Sequence, residues 1–489
     1  MNINTTLTNL KKKHKKKINQ VIFHKVNCRN NKIVKNLINN FLLKKNSFIF
    51  ESVEKRRIRG RYTILGADPD KIWEFNKNKI YLFNEGKKKI IKESPYPYLK
   101  KLIENFNFPL PKNLPPLCSL LVGYFSYDII RYIEKLPDEC LDDLKIPDIR
   151  LMRPRTLIIH DNLLKKLYFI INCFADEKIK NYSKYYLRQV QNIHHLKNLT
   201  FNFESKKITK FVNDSKIKVK SNISKKKFKE IVVKAKNYIK KGDIFQVVLS
   251  QRFEANLTKP PLDIYKKLRI SNPSPFMYFF NFEDFQIIGS SPEILVRLRK
   301  KKITIRPIAG TRPRGFNAKQ DNLYKHQLLN DKKELSEHLM LLDLGRNDVG
   351  KVAKIDSVKV TERFKIEKYS HVMHIVSNVE GIVNEKNSLL DTMLGGFPAG
   401  TVSGAPKIRA MEIIDELEKS KRKMYAGAIG YFSANRNFDT CIALRTALIK
   451  NNKFYIQSGA GIVADSVPEK EYFETVNKAK ALINSLNSK

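Results

Sequence analysis

Short apolar runs bounded by polar residues are the main pattern from about residue 21 to residue 172. Runs at 47–52 and 157–160 resemble short strands, and they are mixed with helical stretches and the proline-rich segment 109–116. Residues 181–227 are polar, rich in Lys and poor in Gly, which is typical of a helix followed by a solvated connector. We therefore predict an N-terminal α+β domain that ends near residue 220.

The second half carries clearer strand and helix patterns. It predicts strands at 242–253, 285–290, 294–297, 300–305, 444–449 and 453–458, and amphipathic helices at 326–342, 406–419 and 468–486. Gly242 ends the preceding helix, and Asn451 with Asn452 predicts a hairpin tip. Antiparallel strands covered by helices predict a two-domain α+β fold, with domains at 1–220 and 221–489.

Composition changes this picture little. With 489 residues and 42% hydrophobic content, the chain is long enough for two large domains. The net charge of +45 suggests a nucleic-acid surface, but the lysines are dispersed among many Asn and Ile residues. The sequence contains no zinc knuckle or helix-turn-helix pattern. We therefore favour solvated faces over nucleic-acid binding.

The five cysteines are widely spaced and odd in number, which argues against a disulfide framework or a zinc site. A basic run at 11–17 has no apolar stretch of signal-peptide length after it, and no apolar run is long enough to cross a bilayer. We expect a soluble, cytoplasmic protein that is not bound to a membrane.

Titratable residues stand among small residues in the second half: Glu293, Glu337, His374, Glu471 and Glu474. Glu471 and Glu474 are three apart and share one helix face. Two helices that present Glu to one cavity would bind a hard cation such as Mg²⁺. Ordinary exposed glutamates are the alternative for that helix.

Other segments could contact an anion. GAPK at 404–407 and GAGI at 459–462 let the backbone approach closely, although a tight turn explains either equally well. Arg445 stands among apolar neighbours and needs a carboxylate partner, which could come from a ligand or from a structural ion pair.

Five strings resemble, in order, the motifs of the chorismate-utilising enzymes, which include anthranilate, aminodeoxychorismate, isochorismate and salicylate synthases. They are RPIAGTRPRG at 306–315, EHLMLLDLGRND at 337–348, SHVMHIVS at 370–377, GAPK at 404–407 and QSGAGIVADS at 457–466. The resemblance covers about residues 225–485. A weaker one, through 123–128 and 151–154, extends it to about residue 45.

Two positions distinguish members of this family. Members that add water to chorismate carry a Lys where this sequence has Gln246, because water needs a base to lose its proton. Members that make aminodeoxychorismate carry an attacking Lys where this sequence has Ala309. The absence of both lysines is similar to the anthranilate synthases, in which ammonia attacks directly and pyruvate leaves. Aminodeoxychorismate synthesis is the alternative within the family, and a basic nucleic-acid-binding protein with an inactive core is the alternative outside it.

The resemblance also implies roles for individual residues. Glu337 and Glu474 would bind Mg²⁺, Glu293 would protonate the departing C4 hydroxyl, and His374 would assist that loss or the pyruvate elimination. The substrate-binding residues implied in this way are Gly310, Thr311, Lys407, Tyr425, Arg445, Gly459 and Gly461.

A second set of residues resembles the tryptophan-inhibitor site of feedback-sensitive members. It combines Glu51 and Ser52 with Asn272, Pro273, Ser274, Pro275, Phe276 and Met277, and Cys441 matches a position tied to feedback. A proline-containing turn is the alternative for the second string.

No cysteine lies in the tight, glycine-rich elbow that a glutamine amidotransferase requires. We therefore expect ammonia to come from a separate amidotransferase subunit. The resemblance implies a heterotetramer of two large and two small subunits.

Overall fold

The computed structural model describes residues 3–29, 32–52, 60–84, 86–201, 217–369 and 372–486. Within these ranges the helices are α1 (Leu7–Lys15), α2 (Lys32–Phe41), α3 (Pro95–Asn105), α4 (Tyr182–Phe201), α5 (Lys225–Lys240), α6 (Pro261–Ser271), α7 (Ala318–Asn330), α8 (Lys332–Gly350), α9 (Leu389–Leu394), α10 (Lys407–Leu417) and α11 (Pro468–Leu486). Short 3-10 helices lie at Tyr127–Tyr132 and Gly400–Val402.

Strands of the first half are β1 (Gln20–Asn27), β2 (Ser47–Glu51), β3 (Tyr62–Asn76), β4 (Lys79–Asn84), β5 (Lys87–Ile91), β6 (Leu120–Phe125), β7 (Ile149–Asp161), β8 (Lys166–Cys173) and β9 (Lys220–Ser221). Those of the second half are β10 (Gln246–Asn256), β11 (Phe276–Asn281), β12 (Gln286–Ser291), β13 (Ile294–Arg299), β14 (Lys302–Ile305), β15 (Ile308–Pro313), β16 (Lys359–Lys368), β17 (Val372–Ile382), β18 (Gly404–Ala405), β19 (Ala428–Ser433), β20 (Phe438–Ile442), β21 (Thr446–Lys450) and β22 (Lys453–Ile462).

The strands named above pair antiparallel throughout, and helices cover the sheets, so the predicted α+β fold is confirmed. Pairing also joins the two halves of the chain. β2 lies between β3 and β11, and β6 lies between β7 and β19. The division into domains at residue 220 stays a prediction, because strands from both sides of that position share one hydrogen-bonded network.

Local sequence explains several element boundaries. Asn451 and Asn452 have φ of 51° and 58°, as a two-residue hairpin turn between β21 and β22 requires. Gly242, with φ of +82°, follows α5 and allows the chain to enter β10. The predicted helices 406–419 and 468–486 are confirmed as α10 and α11, within two residues at each end.

The predicted helix 326–342 is wrong in its bounds. The structure instead has two helices, α7 and α8, with Asp331 between them. The Asp331 carboxylate accepts hydrogen bonds from the backbone N–H groups of Lys333 and Glu334, which makes it the N-cap of α8. Asp is among the preferred N-cap residues, so the break has a local cause that the apolar pattern alone does not show.

Apolar packing also joins the two halves of the chain. Phe48 of β2 packs in one apolar cluster with Tyr278 and Phe280 of β11 and with Leu448 of β21. Removing these side chains from water favours the joined arrangement.

In the part of the chain that the structure describes, no helix combines the length and apolar character needed to span a bilayer.

Candidate active site

The Glu293 carboxyl lies in the turn between β12 and β13, where only 6% of the residue is exposed. Burial raises its pKa to about 8, and two hydrogen bonds, from the Thr401 hydroxyl at 3.2 Å and from the Ile308 backbone, oppose the rise. A carboxyl with this pKa holds its proton at neutral pH. Glu293 can therefore act as a proton donor.

His374 lies on β17 directly opposite Thr311 of β15. Its Nδ1 is 3.0 Å from both the Gly310 carbonyl oxygen and the Thr311 hydroxyl. Burial lowers the pKa of His374, so the ring is neutral near pH 7. A carbonyl oxygen only accepts, so the bond to Gly310 places the proton on Nδ1 and leaves Nε2 as an acceptor.

Arg445 lies between β20 and β21 with φ of 47°, a left-handed conformation that is uncommon for a residue with a side chain. No carboxylate within the described residues forms an ion pair with it, so the structural ion pair considered as an alternative is absent there. Burial lowers the pKa of its guanidinium, and its charge in turn lowers the pKa of His374. Such a group favours a ligand that brings a carboxylate.

A second group of predicted site residues lies along β22, with Tyr425 beside Gly459 and Gln246 beside Gly461; it is called the β22 wall below. A Cβ added to Gly459 would lie 2.6 Å from the Tyr425 hydroxyl, and one added to Gly461 would lie 2.8 Å from Nε2 of Gln246. These two glycines therefore allow the side chains to approach the backbone of β22. Gln246 is 3% exposed, and its Oε1 has no hydrogen-bond partner among the described residues.

Carboxylates of α8 and α11 face each other beside this wall. Burial raises the pKa of Glu337, and the charges of Glu334 and Glu474 raise it further. Burial likewise raises the pKa of Glu471, with a contribution from Glu474. The Lys478 amine is 2.6 Å from Glu474 Oε1 and donates to the Gly459 carbonyl at 3.0 Å. Within the described ranges, no group of three or more His, Cys, Asp or Glu is close enough to hold a metal.

Lys407 begins α10 and is buried, and its amine is 2.8 Å from each carboxylate oxygen of Asp348 at the end of α8. Asp348 neutralises most of the charge that Lys407 was expected to offer to a substrate. Its role in substrate binding stays a prediction, and the contact it makes here is a helix-to-helix ion pair.

The structure thus brings Gly310, Thr311, His374 and Arg445 together, and the Ile308 backbone, two residues before Gly310, links Glu293 to this cluster. Two further residues, Thr401 and Glu334, act on Glu293 and Glu337, and neither was among the predicted site residues. Thr401 is a hydroxyl residue just before the GAPK string, and Glu334 is three residues before Glu337 on the same helix face, so spacing could have indicated both. Residues 370 and 371 of the SHVMHIVS string lie outside the described residues.

A cavity of about 950 Å³ lies beside this cluster, where β2 meets β11. Its wall includes six residues of the predicted inhibitor set, Glu51, Ser52, Pro275, Phe276, Met277 and Cys441. Glu51 pairs with Met277 across the two strands, so the sequence strings, more than 200 residues apart, are neighbours. The Glu51 carboxylate accepts hydrogen bonds from Tyr265 at 2.5 Å and from Arg269 at 2.6 Å.

Asn272 and Ser274, which belong to the second string of the predicted inhibitor set, contact the segment that carries Glu293. The Ser290 hydroxyl donates to the Asn272 carbonyl at 2.6 Å, and the Ser274 hydroxyl donates to the Ser291 carbonyl at 2.8 Å. Asn272, Pro273 and Ser274 are not among the residues that line the cavity. Their part in inhibitor binding stays a prediction.

Comparison with known families gives the cluster a context. The family model of chorismate binding enzymes matches residues 45–484. The chain belongs to this family. The match includes every residue of the cluster around Glu293 and of the cavity wall, so the resemblance inferred from five strings extends over nearly the whole chain.

Relatives within the chorismate binding enzymes are closely similar. Anthranilate synthase component 1 of Cereibacter sphaeroides is 48% identical over 442 residues, which are 89% of this chain and 88% of that protein. The component 1 proteins of Acetivibrio thermocellus and Aquifex aeolicus are each 43% identical, over 90% of this chain and 90% and 89% of their own lengths.

Solved structures of the family agree with the fold. Anthranilate synthase component I of Streptococcus pneumoniae superposes with a TM-score of 0.75 at 36% identity, covering 88% of this chain and 93% of that one. The menaquinone-specific isochorismate synthase of Escherichia coli superposes with a TM-score of 0.70 at 17% identity, covering 98% and 99%. The second similarity concerns the fold alone.

Proposed function

We propose that this chain is the large subunit of an anthranilate synthase, a carbon–oxygen lyase that converts chorismate and ammonia into anthranilate and pyruvate in the first step of tryptophan biosynthesis. The observation that carries the proposal is the set of buried groups formed by Glu293, which keeps a proton, neutral His374, and Arg445, which pairs with no carboxylate among the described residues. The identity of 48% to an anthranilate synthase component 1 supports it.

Gln246 favours ammonia as the nucleophile. Its side chain cannot deprotonate water, and its Oε1 is a buried acceptor without a partner among the described residues. An N–H of ammonia would satisfy that acceptor, and leaving such an atom unpaired is costly. Gln246 would in this way hold ammonia near C2 of the chorismate ring.

The alternative product is aminodeoxychorismate. Its synthesis within this family is expected to use a lysine at the position of Ala309, which is a buried methyl group here, 9% exposed. An alanine offers no amine for attack on the ring. Ala309 therefore favours anthranilate over aminodeoxychorismate.

Glu293 and His374 would carry the proton transfers. Glu293 protonates the C4 hydroxyl as it leaves, because its raised pKa keeps the carboxyl protonated at neutral pH. The acceptor Nε2 of His374 assists hydroxyl loss or the later elimination of pyruvate. Arg445 binds the enolpyruvyl carboxylate, and Tyr425, Thr311, Gly310, Gly459 and Gly461 complete the substrate wall.

Glu337 and Glu474 would hold Mg²⁺. The observation that supports this choice is that the charges of Glu334 and Glu474 raise the pKa of Glu337, while Lys478 and Lys333 oppose the rise, so carboxylates are clustered between α8 and α11. Carboxylate oxygens are the ligands that Mg²⁺ prefers. When bound, the ion would anchor the ring carboxylate of chorismate.

Ammonia would come from a separate glutamine amidotransferase subunit. The name component 1 of the relatives is consistent with a second component. Each of the five cysteines is buried or partly buried, and burial raises the pKa of the Cys118, Cys140, Cys173 and Cys441 thiols. Such thiols are poor nucleophiles for glutamine hydrolysis. From the resemblance to these component 1 proteins, we also propose a heterotetramer of two large and two small subunits.

One assay tests the activity. The purified chain is incubated with chorismate, Mg²⁺ and excess ammonium, and anthranilate fluorescence and pyruvate are followed together. Both products should appear in equal amounts. Aminodeoxychorismate without pyruvate would establish the alternative, and the absence of every product would refute the catalytic proposal.

The cavity where β2 meets β11 would bind L-tryptophan as a feedback inhibitor. We expect Ser52→Ala to leave ammonia-dependent turnover unchanged and to raise the inhibitory tryptophan concentration about tenfold or more, as loss of a buried polar contact predicts. Inhibition curves for both enzymes measure this. Ser47→Ala is the matched control, because Ser47 lies at the other end of β2, which ends just before Ser52, and its hydroxyl donates to the Leu42 and Lys44 carbonyls. Unchanged inhibition of Ser52→Ala would refute the inhibitor site.

Thr401→Val should shift the pH dependence of turnover. The Thr401 hydroxyl bond stabilises the charged form of Glu293 and lowers its pKa. Without this bond the pKa of Glu293 rises, so the decline in activity at alkaline pH should move to higher pH. The profile is measured at a constant concentration of free ammonia. A profile identical to that of the natural chain would contradict the role of this bond.

A further inference from the structure

Lys423 lies two residues before Tyr425, the proposed substrate residue, in an unusual environment. It is 2% exposed and has φ of 46°, which places a long, charged side chain in the left-handed region and in the protein interior. Ala426, on the other side of Tyr425, is also left-handed, with φ of 63°. Residues of this kind are strained and persist only where surrounding contacts hold them.

The contacts that hold Lys423 come from the first half of the chain. Its amine is 2.9 Å from Asp148 Oδ1 and 2.9 Å from Asp142 Oδ2. Its backbone N–H donates to Asp128 at 2.9 Å, and its carbonyl accepts from the Tyr127 N–H at 2.8 Å. Segment 127–148 therefore holds both the side chain and the backbone of this one residue.

The adjacent Arg422 is held from the opposite side. Its guanidinium donates to the Val402 carbonyl at 2.7 Å, to the Val248 carbonyl at 2.6 Å and to the Glu418 carboxylate at 2.6 Å. Its own carbonyl accepts from the Tyr425 N–H at 3.0 Å. The turn at 422–427 thus lies between two sets of contacts, one from each half of the chain.

Packing leaves the turn little freedom to move. A Cβ added to Gly427 would lie 2.3 Å from the Phe125 carbonyl oxygen of β6, and the Ala426 N–H donates to the Ala443 carbonyl at 3.2 Å. Ala443 lies two residues before Arg445. A displacement of the first half would therefore act on the segment that carries Tyr425 and the neighbourhood of Arg445.

We propose that Lys423 is a positioning residue through which Asp142 and Asp148 of the first half hold Tyr425 in the substrate site. The inference rests on the proposed function, because Tyr425 is a substrate residue only there. It assigns the first half of the chain a part in substrate binding, in addition to its proposed part in inhibition.

The test compares Lys423→Met with Asp142→Asn in the full-length chain. Lys423→Met removes the amine, and Asp142→Asn removes one of its two carboxylate partners while leaving Asp148 paired. Both should raise the KM for chorismate, by about tenfold for Lys423→Met, with kcat changed less than about twofold. Lys423→Gly should lie between Lys423→Met and the natural chain, because glycine adopts the left-handed turn without strain.

Two controls distinguish an effect on the position of Tyr425 from a general loss of stability of the fold. Asp70→Asn breaks a buried pair with Arg153 in the same half of the chain, away from the turn, and should lower the melting temperature without raising KM. In a chain that already carries Tyr425→Phe, Lys423→Met should raise KM less than it does in the natural chain. Both changes weaken the same contact, that of Tyr425 with chorismate, so their effects are not additive.

Folded Lys423→Met and Asp142→Asn chains with the natural KM would overturn the inference, and so would an equal rise in KM for Asp70→Asn. If the natural chain forms no anthranilate, the proposed function fails. Chorismate affinity, measured by equilibrium dialysis on the same variants, then decides the positioning role independently.

Discussion

Glu293→Gln is expected to lower kcat by about 10² to 10⁴, the range over which a general acid contributes. The amide keeps the shape of the carboxyl but has no acidic proton to give to the C4 hydroxyl. Because the substitution leaves Arg445 and Tyr425 in place, KM should change only a few-fold. Anthranilate fluorescence at saturating chorismate measures the effect.

The pH profile gives this prediction a second readout. The pKa of Glu293 is raised to about 8, so the proton it must donate is lost as pH rises through that value. At constant free ammonia, kcat of the natural chain should fall above about pH 8, and the Gln variant should lack this decline. Glu283→Gln is the control, since Glu283 is an exposed residue paired with Lys45. A Glu293→Gln enzyme with more than about one tenth of the natural kcat would exclude the general-acid role.

Glu474→Gln should abolish turnover at ordinary Mg²⁺ concentrations. A hard cation between α8 and α11 loses one anionic ligand, so its affinity falls, and we expect a loss of activity on the order of 100-fold that excess Mg²⁺ partly restores. Titrating Mg²⁺ against turnover separates weakened metal binding from a damaged fold, because only the former is reversed by the ion.

Glu469→Gln is the matched control for this experiment. Glu469 lies on α11 less than two turns from Glu474, but its carboxylate contacts Lys225 and Lys229 of α5. Its replacement should leave the Mg²⁺ requirement unchanged. If Glu474→Gln needs no more Mg²⁺ than the natural chain, the metal assignment is wrong.

Much of the fold could be predicted because its causes are local. The β-like run at 47–52 and the Asn451–Asn452 tip depend on residues that are close in the chain, and both predictions are confirmed, by β2 and by the hairpin of β21 and β22. The helix predicted at 326–342 was wrong in its bounds, and the cause of this error is also local. Apolar spacing continues across Asp331, whereas the chain uses the Asp331 side chain to begin a new helix.

The candidate site was predictable in its residue types but not in its electrostatics. Arg445 illustrates the limit. Its sequence neighbours indicated only that a guanidinium among apolar residues needs a carboxylate, and the structure shows that no described residue provides one. Lys407 is the opposite case, since an amine expected to face substrate is paired with Asp348, 59 residues earlier in the chain.

The sequence by itself determined the order of motifs, several of the strands and helices, and the identity of the groups available for chemistry, since each depends on residue type and short-range spacing. Only the tertiary structure decided which of those groups are charged. The pKa of Glu293 rises because the fold buries its carboxyl, and the two strings of the predicted inhibitor set meet because β2 pairs with β11. Burial and ion pairing depend on contacts between distant parts of the chain, which residue spacing does not specify.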